Sequence, residues 1–160
     1  MELLNPNLKQ MIKCISILQP WASLVVARHK RIETRSWNTK YRGELYIHAS
    51  KKWTQQLYDT IIDIGADKHF AESGFVLPFG AIIGKVDLVE TFPTELLVSD
   101  GKPIETFIEG LEITPQEIAF GDYSPNRFGW ILENPVVFVK PIPAKGQLGI
   151  WNFDEKLIIS

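Results

Sequence analysis

Apolar and polar positions divide the chain into short elements. Residues 11–18 are β-prone and mostly apolar, which predicts a buried strand. Gln19-Pro20-Trp21 then opens a short helix to about Arg28. Proline suits a first helical position because its missing N–H has no partner there in any case. Leu24, Val25 and Val26 would face inward. Residues 31–37 alternate: in an extended chain Arg31, Glu33, Arg35 and Trp37 share one face, and Ile32, Thr34 and Ser36 the other. Residues 38–42 read as a turn. Gly43–Ala49 reads as a strand, with Leu45 and Ile47 on one side and Glu44, Tyr46 and His48 on the other. Ser50 is the expected N-cap of a helix over about residues 51–64, ended by Gly65.

Residues 81–92 (AIIGKVDLVETF) predict another strand, in which Gly84 marks a bulge or a close backbone approach. Residues 93–126 are acidic and rich in turns. Within them Thr114-Pro115-Gln116-Glu117 predicts a capped short helix to Ala119. Residues 128–139 are strand-like, broken at Asn134-Pro135 by a hairpin turn or a bulge. Residues 1–10 have no period and read as an N-terminal extension, 11–153 as the domain and 154–160 as a C-terminal tail. The pattern predicts five to six mixed strands with two main helices. It fits an α/β (α+β) chain built round a small curled sheet or barrel.

Composition narrows the class. The chain has 160 residues, 45% hydrophobic and 22% charged, which suits one globular domain and excludes a coiled coil or a collagen-like chain. No apolar run approaches the ~18 residues of a membrane span, so no membrane partner is expected. Glu2 and the absence of a basic-then-apolar start argue against secretion. Cys14 is the single cysteine, and His29, His48 and His69 form no HxxxH pair. Neither a metal nor another cofactor is expected, and the reducing cytoplasm is the expected location.

The net charge of −2 hides an asymmetry. Eight of the seventeen Lys and Arg lie between Arg28 and Lys52, against only Glu33 and Glu44 there. A basic segment thus sits on an acidic body, which suits an anionic partner on one face or a solvated basic edge. Trp21, Trp37, Tyr41 and Tyr46 are interleaved with the charges. Cations neutralise phosphates and aromatic faces stack on unpaired bases, so RNA, DNA or a nucleoside-like molecule is the expected partner. Trp21 and Tyr46 serve equally well as core.

The segments SILQPWASLVVARHKRIETRSW and YRGELYIHASKKW resemble the ASCH domain, a PUA-like family named after a homology region of a transcription coactivator. The pattern is closest to coactivator-type members. The family signature is G-x-K-x-x-E-x-R. Lys30, Glu33 and Arg35 match it, and Arg28 stands where the family has glycine. Weaker matches are the strand at 81–89, Arg127-Phe128-Gly129-Trp130 and PIPAKGQLGIW, so the likeness covers about residues 12–153. The resemblance implies a PUA-like β-barrel with a cleft beside the first helix that binds nucleic acid. It also implies two alternatives on the same fold, a nucleoside amidohydrolase acting on N4-acetylcytidine and a ribonuclease. In the amidohydrolases a lysine acts with a threonine three residues on and a distant glutamate. Lys30 and Glu90 would fill two of those roles, while Glu33 takes the place of the threonine.

The residue chemistry stands beside that likeness. Arg35 offers a planar fork to a phosphate or a base edge, and Lys30 a point charge or a base. Glu33 would pair with Arg35, and the alternative is a structural Glu–Arg–Lys cluster. The expected anion-binding surface comprises Lys30, Arg35, Trp37, Arg42, Lys51 and Lys52, with Gln19, Trp21, His48 and Arg127 as further cleft residues. An enzyme would use Lys30, Glu33 and Glu90. A third function, protein interaction, would use the acidic segment 87–122.

Overall fold

The computed structural model describes residues 11–70, 77–105, 108–154 and 156. The expected N-terminal extension, 1–10, and most of the expected tail lie outside the described residues. The strands are β1 (Met11–Ile17), β2 (Ile32–Arg35), β3 (Gly43–Ala49), β4 (Ala81–Pro93), β5 (Val98–Ser99), β6 (Lys102–Pro103), β7 (Phe128–Pro143) and β8 (Ile150–Asp154). The helices are α1 (Trp21–Val26), α2 (Gln55–Asp63) and α3 (Pro115–Ala119). Six strands form one mixed sheet in the order β2-β7-β4-β3-β1-β8, and β5 pairs with β6 in a separate ribbon.

The centre of the sheet is buried on both faces, as the nearly continuous apolar runs of its strands require. Ile15 and Ile17 of β1 and Leu45 and Ile47 of β3 join a core with Ala22, Val25 and Val26 of α1. Their intervening neighbours Cys14 and Tyr46 pack on the opposite face with Ile82 and Trp151. Burial holds Cys14 at 0% exposure and pushes its thiol pKa up to about 12. With six residues, α1 is too short to persist alone, and burial of Leu24, Val25 and Val26, at ~1.5–3 kcal/mol each, fixes it against the sheet. Gly84 lets α1 come close. A Cβ there would lie 2.8 Å from Val26 Cγ1 and closer still to the Val136 carbonyl.

Three expectations are corrected. The sheet does not close into a barrel: β2 is four residues long, β8 begins opposite Ile15, and no ladder among the described residues joins the two ends. Pro20 is the cap of α1 rather than its first residue. The second helix starts at Gln55 with Thr54 as its cap, because the Ser50 amide continues the sheet by donating to the Ile17 carbonyl. Of the two readings open at Asn134-Pro135, the structure has the bulge, within a continuous β7: Asn134 takes φ 50° and pairing shifts between Lys85 and Asp87. The short helix at Thr114-Pro115 forms as expected, beside the two main ones.

Candidate functional site

β2 carries the charged centre of the site. Its alternation puts Glu33 and Arg35 on one side, and Arg35 Nε donates to Glu33 Oε1 at 3.0 Å. Lys30, just before β2, brings Nζ to 3.8 Å from Glu33 Oε2 and donates to the Ile32 carbonyl. Lys30 is buried at 2% exposure. Burial pushes its pKa down, while the Glu33 and Glu117 carboxylates pull the other way. The second arm of Arg35 is also held, with Nη2 donating to the Ser16 carbonyl at 2.9 Å. Glu33 therefore sits between two cations.

These residues line a cleft of about 500 Å³ beside α1. Trp21 and Trp37 line it too, each half-buried: Trp21 packs into two core clusters, and Trp37 stands edge-on to Trp130 with ring centres 4.8 Å apart. Arg127 lines the same cleft, its Nε 3.4 Å from Asp122 Oδ2, and Nη2 reaches the Thr34 carbonyl at 3.4 Å.

A second cavity of about 770 Å³ adjoins the first at Ser16, which lines both. Ser16 faces His48 across the β1–β3 ladder, with Oγ 3.0 Å from Nδ1. His48 Nε2 lies 2.8 Å from the Ala144 carbonyl, which only accepts. Nε2 thus carries the proton, and the Ser16 hydroxyl donates to Nδ1. Trp151 Nε1 donates to Ser16 Oγ at 3.3 Å. Burial pushes the His48 pKa down, opposed by the Ala144 carbonyl. Gly146 closes over the pair, since a Cβ there would lie 2.8 Å from both Ser16 Oγ and His48 Cε1. Lys51 and Lys145 line the outer wall.

The structure thus brings Lys30, Glu33, Arg35, Trp21, Trp37 and Arg127 into one cleft, and His48 and Lys51 into its neighbour. The other four expected residues lie apart. Arg42 and Glu90 pair with each other at 2.7 Å at an exposed position and line neither cavity. The Thr91 amide and the Arg42 guanidinium hold the Glu90 carboxyl below the usual carboxylate range. Lys52 is exposed and lines neither cavity. Gln19 is a buried brace for α1: its Oε1 accepts from the Ser23 amide at 3.0 Å and its Nε2 donates to the Pro78 carbonyl at 2.8 Å. In the acidic segment Asp87 accepts from Asn134 and Glu95 from the Asn126 amide, while Asp100, Glu105, Glu109 and Glu112 are exposed.

Glu117 escaped the sequence reading. It is buried on α3 and accepts from the Arg31 amide at 3.0 Å and the Ile32 amide at 2.8 Å, anchoring the start of β2. The capped Thr114-Pro115 helix is visible in the sequence, but nothing local marks a partner 86 residues away. Tyr123 escaped it too. Burial pushes its hydroxyl pKa up, with Glu117 and Glu33 adding to the effect, and the hydroxyl has no hydrogen-bond partner among the described residues. No group of three or more His, Cys, Asp and Glu among the described residues could hold a metal ion. Nor is any described helix long and apolar enough to cross a membrane.

The chain belongs to the ASCH domain family, whose model matches residues 15–141. It is 33% identical over 150 residues to activating signal cointegrator 1 of Homo sapiens, and equally to that of Mus musculus. Each match covers 90% of this chain and 22% of the relative, so the chain spans about a fifth of the length of these curated relatives. Among solved structures, an ASCH protein of Zymomonas mobilis has a TM-score of 0.52 at 13% identity, covering 92% of this chain and 90% of that one. A variant of that protein gives 0.52 at 14% identity, covering 94% and 95%. At such identity the likeness shows the fold alone.

Proposed function

We propose that this chain binds nucleic acid, RNA or DNA, through the cleft beside α1. The observation that carries this reading is the convergence of Lys30, Glu33 and Arg35 with the indoles of Trp21 and Trp37 in one cleft of about 500 Å³. That cleft combines directed hydrogen-bond donors, a fixed acceptor and aromatic faces, which together suit a nucleobase. Membership of a family linked to RNA binding supports the same reading. The hydrolytic alternatives have less support. Both Glu33 oxygens are engaged by cations, and Glu90 is taken up by Arg42 outside the cleft.

The test is fluorescence anisotropy of the chain with labelled single-stranded RNA and DNA at several salt concentrations. The expected result is saturable binding that weakens as salt rises. No binding to either strand at low salt would overturn the reading.

A further inference from the structure

We propose that the two adjoining cavities divide one single-stranded ligand between them: the first takes an unpaired base and the second takes the neighbouring backbone phosphate. This deepens the nucleic-acid reading and rests on it.

Charge separates the two cavities. In the first, Lys30 and Arg35 share Glu33, and Arg127 has Asp122. The three cations that line it face two carboxylates, which offset most of their charge. A phosphate placed there would face those carboxylates. A base edge carries donors and acceptors without net charge and matches a compensated, polar wall. Trp21 and Trp37 add the flat apolar faces that a base requires.

The second cavity has the opposite character. Lys51 and Lys145 line it, no Asp or Glu does, and neither lysine makes an ion pair among the described residues. Uncompensated cations suit a phosphodiester. The Lys51 stem lies over Gly80, where a Cβ would stand 2.8 Å from Lys51 Cγ and Cε. Ser16 lines both cavities, so the two sites are neighbours, close enough for adjacent parts of one strand. A base seated in the first cavity has left the stack of its neighbours. A duplex must open to supply one, and a single strand need not.

The test uses the intact chain, a fluorescent single-stranded RNA, its blunt duplex and the four unphosphorylated nucleosides. Wild type is compared with the double variant Lys51→Gln, Lys145→Gln, which keeps most of each stem and removes the charge. Wild type should prefer the single strand to the duplex. The variant should bind the strand several-fold more weakly, with a salt slope shallower by about 0.7 for each phosphate no longer neutralised. Nucleoside-induced shifts of the Trp21 and Trp37 indole NMR signals should be the same in both proteins. If wild type binds the strand and the variant matches it in affinity and slope, the phosphate assignment fails while the nucleic-acid reading stands. Loss of the nucleoside shifts in the variant, or equal wild-type affinity for the duplex, overturns the division between cavities. Failure of wild type to bind any strand overturns the underlying reading and this inference with it.

Discussion

Arg35 Nη2 bonds the Ser16 carbonyl at 2.9 Å, joining two strands that share no ladder. β2 begins the strand order of the sheet and β1 stands next to its far end. β8 begins opposite Ile15, and the guanidinium engages the next residue along β1. The same side chain holds Glu33, so one arginine both braces the sheet and lines the cleft.

Arg35→Ala is therefore expected to weaken both the fold and the site. Loss of two hydrogen bonds from a charged donor should lower stability by about 1–3 kcal/mol. Affinity for single-stranded RNA should fall on the order of tenfold, equivalent to ~1.4 kcal/mol. Arg35→Lys keeps the charge without the planar fork and should recover less than half of either loss. Urea unfolding and anisotropy titrations of the same preparations read both effects. Full affinity in a folded Arg35→Ala protein would remove the residue from the site.

Glu117→Ala should cost about 2–4 kcal/mol, because it strands the buried amides of Arg31 and Ile32 and removes a carboxylate whose charge favours protonated Lys30. Glu117→Gln keeps one carbonyl acceptor and should lose about half as much. Urea midpoints of the two variants check the ranking.

Acid should loosen the fold through two histidines. His29 stacks on His69 with ring centres 3.9 Å apart, and burial, then the His69 charge, push its pKa below 6.5. His48 is lowered by burial. Both folded values lie under the unfolded one, so below pH 6.5 the unfolded chain binds more protons. Their contribution is intact above about pH 7 and is lost as pH falls through 6.5 toward the folded values. Urea midpoints should drop between pH 7.5 and 5.5, and His29→Gln should shrink the drop. Imidazole NMR titrations midway below 6.5 for both residues would confirm the cause.

Arg28 adopts φ 68°, the left-handed region that glycine enters freely. Arg28→Gly should relieve ~1–2 kcal/mol of backbone cost and give back ~0.5–1 through the freer unfolded chain. A net gain of about 0.5–1 kcal/mol is expected, visible as a raised thermal midpoint.

β1, β3 and β4 were legible because their β-prone apolar pattern is local. The pairing of Glu33 with Arg35 was legible for the same reason, two positions apart on one strand. What escaped depended on distant partners. Ser50 looks like a cap until the Ile17 carbonyl, on another strand, claims its amide. Arg42 looks available for an anion until Glu90, 48 residues away, engages it. At Asn134 the sequence allowed a hairpin or a bulge, and the ladder to β4, which keeps β7 continuous on both sides, decides for the bulge.

The unclosed seam of the sheet has a bearing on adaptation. Where two strands are zipped by backbone amides, exchanging a side chain leaves the zip alone but exchanging the path of the chain destroys it. At the seam the bridge is itself a side chain, Arg35 on Ser16. The ligand-facing chemistry there can be rewritten one residue at a time while every ladder of the sheet keeps its register. A frame of this kind can serve different small polar guests without being rebuilt.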